Sequence, residues 1–377
     1  MRILGAVGVL PEHAYPQDEV TEAFLDVILR PEHRLEVEPA LVRRIHRNAG
    51  VEQRHLALPL EEYGSLEDFG AANDAFIAHG TDLGARAVSD ALKAVGLTPE
   101  DVDVVVAATV TGIAVPTLEA RIAARLGMRP DVRRVPLVGL GCVAGAAGTA
   151  RLHDYLLGHP DHVGVLVCVE LCSLTVQRDD TSMPNVVAAG LFGDGAAAVV
   201  AAGADRAEEL VAAAPAGGSR PTVLDSASRL YPDSERTMGW DVGAGGLRVV
   251  LDAAVPAVVE RYLGEDVDRF LARHGLQRSD VEWYVSHPGG PKVLDAVQSA
   301  LGLDREALDV TWRSLARVGN LSSASVLHVL ADTLRDRPPR PGSYGLMVAM
   351  GPGFCSELVL LRAPDDDPEG EPADQPS

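Results

Sequence analysis

Short apolar runs bounded by glycine or proline recur along this chain. They predict buried strands over Val102–Val110, Val163–Cys168, Ala196–Ala201, Glu282–Ser286, Gly345–Met350 and Ser356–Leu361. Between them, apolar residues three and four apart predict helices over Gly80–Val95, Leu118–Leu126, Val143–Leu157, Val255–His274, Lys292–Leu301 and Ser322–Leu334. Strands alternating with helices imply layered sheets with helices between and outside them. The helix Val143–Leu157 opens Val-Ala-Gly-Ala-Ala-Gly, small on every face, and so calls for close neighbours all round. Burial of its N-terminus would leave unpaired backbone N–H groups beside Cys142.

The pattern also repeats itself. Ala91–Val106 aligns with Phe270–Val285 at an offset of 179 residues, and the register still holds where Cys142 meets Leu321. The strand after each central helix recurs too, Val165–Cys168 against Gly345–Val348. Duplicated halves imply a pseudo-two-fold axis at which equivalent strand ends and helix starts meet. Cys142, His287 and Asn320 would converge there. The expected division is residues 1–225, residues 226–363, and an acidic, proline-rich, disordered tail at 364–377. Residues 204–240 read as a loop-rich connection between the halves.

The chain has 377 residues, 47% of them apolar, enough for a large core. Net charge is −21, and the six acidic residues among the last fifteen leave −15 on the body. That argues against a nucleic-acid surface but not against a local basic patch for a phosphorylated ligand. No apolar run reaches membrane-spanning length. The N-terminal stretch, broken at Pro11, is too short for a signal peptide. Four cysteines without paired zinc spacing point to a reduced cytoplasmic protein with no metal.

Three residues stand out chemically. Cys142 precedes a buried helix, whose positive end favours thiolate. His287 ends a strand and opens a sharp Pro288-Gly289-Gly290 turn, a usual place for a reactive side chain. Asn320 follows Gly319 at the second helix start and offers an amide N–H to a developing oxyanion. Thiolate, imidazole and amide donor together suit acyl transfer with enolate chemistry.

The motifs Gly-Leu-Gly-Cys142-Val-Ala-Gly, Leu191-Phe192-Gly193-Asp194-Gly195, His287-Pro-Gly-Gly-Pro, Gly319-Asn320-Leu-Ser-Ser and Gly351-Pro352-Gly353-Phe354 follow in order across the chain. Jointly they resemble the type III polyketide synthases, the chalcone and stilbene synthase family of the thiolase-like superfamily. The resemblance implies duplicated βαβαβ halves in an α-β-α-β-α stack and a homodimer. It implies that Cys142 takes an acyl group from acyl-CoA, and that His287 and Asn320 bind malonyl-CoA and stabilise the enolate formed on decarboxylation. No metal or redox cofactor is implied. Ketoacyl-ACP synthase III also uses cysteine, histidine and asparagine, but normally has His-Gln-Ala-Asn where this chain has His287-Pro-Gly-Gly.

The resemblance further assigns Phe192, Val110, Thr111, Val115, Cys172, Thr175, Trp240, Val249 and Ser322 to the substrate pocket. Arg43, Arg44, Arg47, Gly289 and Lys292 are assigned to CoA, with Arg44 on one of the family's basic positions and Leu41 and Asn48 replacing two others. Val249 and Val110 fall where chalcone synthase has phenylalanine and threonine, so the lining is more aliphatic. The run around Trp240 looks like bacterial members that take fatty acyl starters and make alkylpyrones or alkylresorcinols. Naphthalene-forming bacterial members usually carry cysteine at the position of Val110, so its absence counts against that product.

Blander readings accompany these. Cys168, Cys172 and Cys355 fit small buried hydrophobes, and His153, His159 and His162 lack a metal motif. Asn320 alone would serve as a helix cap, and Asp194 before Gly195 fits a structural turn. The arginine run, with Arg43 and Arg44 four and three residues before Arg47, could be a solvated helix face. A non-catalytic thiolase-like partner would typically lack the nucleophile, which this chain keeps.

Overall fold

The computed structural model describes residues 1–28, 38–213 and 220–365. The first half runs β1 (Arg2–Val9), β2 (His13–Pro16), α1 (Gln17–Ile28), α2 (Pro39–Asn48), β3 (Gln53–Leu56), α3 (Phe69–Ala94), β4 (Val104–Thr109), α4 (Leu118–Leu126), β5 (Arg133–Val138), α5 (Ala144–Leu157), β6 (Val163–Leu171), α6 (Met183–Leu191), β7 (Asp194–Ala202) and α7 (Ala204–Ala213). The second runs β8 (Thr222–Leu230), β9 (Met238–Gly243), β10 (Gly246–Leu251), α8 (Val255–Ala272), β11 (Val281–Ser286), α9 (Pro291–Leu301), α10 (Asp309–Val318), α11 (Ser325–Asp336), β12 (Tyr344–Gly351) and β13 (Cys355–Arg362).

The duplication is visible strand by strand. β4 runs parallel to β6, β6 antiparallel to β7, and β7 antiparallel to β1. β11, β12, β13 and β8 repeat the same sequence of pairings. The order is β11-β12-β13-β8-β1-β7-β6-β4-β5, and the halves meet through the pair Arg2–Thr222.

Three apolar clusters define the layers. The central one joins inward residues of both halves (Val104, Leu166, Val199, Val285, Met347, Val359) to α5 and α11. A second packs α3, α4 and α7 on the outer face of the first half, and a third packs α8 and α9 on that of the second. The result is the α-β-α-β-α stack of a thiolase-like α/β fold. β6 and β7 are buried at all nine positions, which is why each reads as an unbroken apolar run. The small residues of α5 serve the axis: a Cβ on Gly145 would lie 2.5 Å from the Ser323 carbonyl oxygen, so only glycine admits this approach.

Three expectations change. α3 begins at Phe69 rather than Gly80, capped by Asp68, whose carboxylate accepts from Ala71 N–H at 2.9 Å. The stretch 204–240 is not a loop: it holds α7, all of β8 and the start of β9. β8 is mostly half-exposed and polar at five of its nine positions, so no apolar run announces it, yet it pairs with β13 along its length. The boundary placed at 225/226 therefore falls inside a strand. Of the acidic tail, residues 366–377 lie outside the described residues.

Candidate active site

Cys142 sits in a single helical turn, Gly141–Val143, that leads into α5. The equivalent turn, Ser322–Ala324, leads into α11. Asn320 lies just before it, pinned through its backbone: its N–H donates to Leu191 O and its carbonyl accepts from Gly193 N–H, each at 2.9 Å. Gly319 has φ +74, and a Cβ there would lie 2.8 Å from Leu191 O, so glycine is required for this approach. The Asn320 Oδ1 accepts from Ser322 N–H at 2.8 Å, which fixes the amide plane. His287 follows β11, its N–H donating to Val348 O at 2.9 Å.

Cys142, His287, Asn320 and Phe192 line one cavity of about 580 Å³, with Ile45, Asn48, Met183, Gly289 and Lys292 also on its wall. The duplicated halves thus bring the three expected residues together. Both ring nitrogens of His287 are buried with no hydrogen-bond partner among the described residues. Burial pushes the Cys142 thiol up to about 12, outweighing the Ser322 hydroxyl and the Asn320 amide, which favour thiolate; nearby Glu170 reinforces burial. Burial likewise pulls the His287 imidazole down to about 3. Burial therefore favours a neutral thiol and a neutral imidazole here, against the thiolate that the helix start alone suggested. Cys142 Sγ–H donates to Ser322 Oγ at 3.9 Å.

The other expected pocket residues divide. Cys172, Thr175, Trp240, Val249 and Phe192 line a small neck of about 20 Å³ that has Phe192 in common with the reaction cavity. A second cavity of about 480 Å³, which Thr111 and Thr175 help to line, has Arg54, Thr175 and Val176 in common with the neck. Trp240 and Val249 are cross-strand partners in the β9–β10 hairpin. The more aliphatic lining expected at Val249 therefore has an indole beside it on the same wall. Val110 and Ser322 are buried but line neither cavity nor the neck. Val115 lines none of these spaces in the single chain: it is 88% exposed on the loop after β4, before α4 begins.

The CoA set also divides. Lys292 and Gly289 line the reaction cavity. On α2, Ile45 and Asn48 line it, and Arg44 shares their side as the i−4 neighbour of Asn48. Arg43 faces away and forms a bidentate pair with Glu22, 2.6 Å in each arm. Arg47, exposed, is the i+4 neighbour of Arg43 and the i+3 neighbour of Arg44. Asp194 is wholly buried; it accepts from Ala57 N–H at 2.7 Å, from Ser173 N–H at 2.8 Å and from the Ser173 hydroxyl, so it ties three segments together.

Sequence reasoning missed Arg54, which lines both the neck and the second cavity. Its signal was present: β3 buries alternate positions, and Arg54 occupies an inward one. It also missed Glu170, buried at the end of β6, which accepts from Val110 N–H at 3.0 Å and the Thr111 hydroxyl at 2.8 Å. Among the described residues no group of side chains suits a metal ion, and no helix is long and apolar enough to cross a membrane.

Residues 2–206 match the family model for chalcone and stilbene synthases, N-terminal domain, and residues 223–364 match that for the C-terminal domain. The chain is 55% identical over 353 residues to a 1,3,6,8-tetrahydroxynaphthalene synthase of Streptomyces peucetius subsp. caesius, covering 94% of this chain and 90% of that protein. It is 35% identical to a putative chalcone synthase of Bacillus subtilis, covering 84% and 87%. The fold superposes with a TM-score of 0.87 and 29% identity on the crystal structure of 1,3,6,8-tetrahydroxynaphthalene synthase from Streptomyces coelicolor A3(2), a bacterial type III polyketide synthase, covering 97% and 99%.

Proposed function

The chain belongs to the chalcone and stilbene synthase family of type III polyketide synthases, and from that premise we propose how this condensing acyltransferase works and what it builds. The observation that carries the proposal is that Cys142, His287 and Asn320 share one cavity whose wall also presents Lys292. His287, neutral and without a partner of its own, accepts the Cys142 proton. The thiolate attacks the carbonyl of an acyl-CoA, and CoA leaves with the proton. Malonyl-CoA then enters. Its C–CO2 bond breaks, the electron pair moves into the thioester as an enolate, and N–H groups of Asn320 and neutral His287 hold the enolate oxygen. The enolate carbon attacks the acyl-Cys142, expelling Sγ, and the extended chain is reloaded. Loss of CO2 drives each round.

Of the product classes, an aromatic ring system assembled from malonyl units is best supported. The S. peucetius relative carries 1,3,6,8-tetrahydroxynaphthalene in its name. That compound has ten ring carbons, equal to five two-carbon units, and no alkyl side chain. A neck of only about 20 Å³, lined by Trp240 and Phe192, suits a short chain that folds back within 580 Å³. The expectation of a fatty acyl starter and an alkylpyrone or alkylresorcinol remains a second reading, favoured by the 480 Å³ space beyond the neck. Incubation with malonyl-CoA alone separates them: CO2 release with an aromatic product supports the first, and condensation only after addition of a long acyl-CoA supports the second. No CO2 release under either condition refutes both. On family grounds the enzyme is also read as a cytoplasmic homodimer that takes CoA esters, and a stable monomer in light scattering at micromolar concentration would refute the dimer.

A further inference from the structure

Arg54 is 3% exposed, yet it has no carboxylate partner within ion-pair distance among the described residues. Its Nη1 donates to the Ala189 carbonyl at 2.8 Å and, weakly, to Gln17 Oε1 at 3.5 Å. Its Nε is buried without any acceptor among the described residues. Asp194 is the carboxylate whose field Arg54 feels most strongly. Both Asp194 oxygens, however, are already occupied by the N–H groups of Ala57 and Ser173 and by the Ser173 hydroxyl. A buried guanidinium left in this state is poised for an anion.

Its position gives that state a use. Arg54 is the charged residue of the neck, whose other walls are Cys172, Val176, Ala188, Phe192, Trp240 and Val249 along with uncharged polar groups. It also faces the second cavity, whose lining includes the exposed acids Glu67, Asp68 and Asp179. Arg178 shares that lining with the three acids. A carboxylate at the far end of a chain attached at Cys142 that enters the neck meets Arg54 there as the neck's charged group.

We propose that Arg54 is a specificity-determining residue that binds a free carboxylate at the distal end of the Cys142-bound acyl chain, so that the substrate class is the ω-carboxylated acyl thioester. This rests on the reading of Cys142 as the acyl carrier. As the chain lengthens, its carboxylate is driven toward the neck, and the guanidinium fork takes it there in a site that excludes water. A methyl-terminated chain of equal length leaves Nε unpartnered and gains nothing from Arg54.

The test compares adipyl-CoA with hexanoyl-CoA, six-carbon starters ending in carboxylate and methyl, each with malonyl-CoA as extender. In the wild-type enzyme the ratio of their kcat/KM values should favour adipyl-CoA by about ten- to hundredfold, the range for a hydrogen bond to a charged group. Methyl adipyl-CoA, which blocks the charge, should fall to the hexanoyl level. Arg54→Met should collapse the ratio toward one and Arg54→Lys should restore part of it; using the ratio cancels any general loss of activity. If Arg54→Met does not fold, as judged by circular dichroism, the wild-type comparison of adipyl-CoA with its methyl ester decides. A wild-type ratio near one, or a ratio unchanged in a folded Arg54→Met, overturns the proposal while the condensation stands. Absence of condensation with every starter overturns the underlying function instead.

Discussion

Replacing Trp240 with alanine tests whether the neck sets the length of chain the enzyme accepts. Trp240 is half-buried, faces Val249 across the β9–β10 hairpin, and lines the neck that shares Phe192 with the 580 Å³ reaction space and Arg54 with the 480 Å³ one. Removing the indole should join them and nearly double the room open to a chain on Cys142. Each methylene moved from water into the new space is worth about 0.8 kcal/mol at most, or about fourfold in kcat/KM. Four further methylenes therefore amount to roughly two orders of magnitude as an upper bound. The assay is kcat/KM for a series of saturated acyl-CoA starters from six to sixteen carbons, with products sized by mass spectrometry. The wild-type profile should peak early and Trp240→Ala should peak several carbons later. The lost packing lowers stability by less than the ~3–5 kcal/mol of a fully buried tryptophan, so thermal melting must first show that the variant is folded. A folded Trp240→Ala with the wild-type optimum would refute the view that this side chain closes the passage.

Cys142→Ala should abolish condensation with the fold retained, whereas Cys142→Gln should still release CO2 from malonyl-CoA if His287 and Asn320 hold the enolate; full product yield from Cys142→Ala would sink the assignment. His46 is held neutral, with burial pulling its pKa down to about 4 between Thr21 and the Val186 carbonyl. Its folded value lies below the unfolded one, so the unfolded chain takes the proton first and stability is lost as pH falls from about 6.5 toward 4, at about 1.4 kcal/mol per pH unit. His328 acts the same way, while Asp194, raised to about 6, acts oppositely. Urea denaturation should therefore show the gap between wild type and His46→Gln narrowing on acidification, and a gap independent of pH would contradict the buried neutral state. Arg44→Ala should raise KM for acyl-CoA more than Arg43→Ala does, since Arg43 is engaged by Glu22, and the effect should shrink with a pantetheine-truncated starter. Equal effects from the two arginines would mean that the faces of α2 are misassigned.

Much of this protein could be read along the chain. Strands buried on both faces announce themselves as unbroken apolar runs, and β6 and β7 were legible for that reason. The duplicated register carries more, because it relates Cys142 to the second helix start through sequence alone. What stayed hidden depended on partners distant in sequence. β8 is a strand because β13 lies beside it, not because of its own pattern. Val249 reads as aliphatic lining, and only the hairpin shows that Trp240 stands opposite it; Val115 lies on a loop whose course after β4 no local pattern gives. Helix periodicity grouped three arginines, but only the seating of α2 against the cavity separates Arg44 from Arg43. Ionisation is the clearest case. A helix start favours thiolate locally, whereas desolvation is a property of the whole surrounding core. Cys142 and His287 are both neutral because the tertiary structure removes water from them, a cost that no local segment of sequence displays.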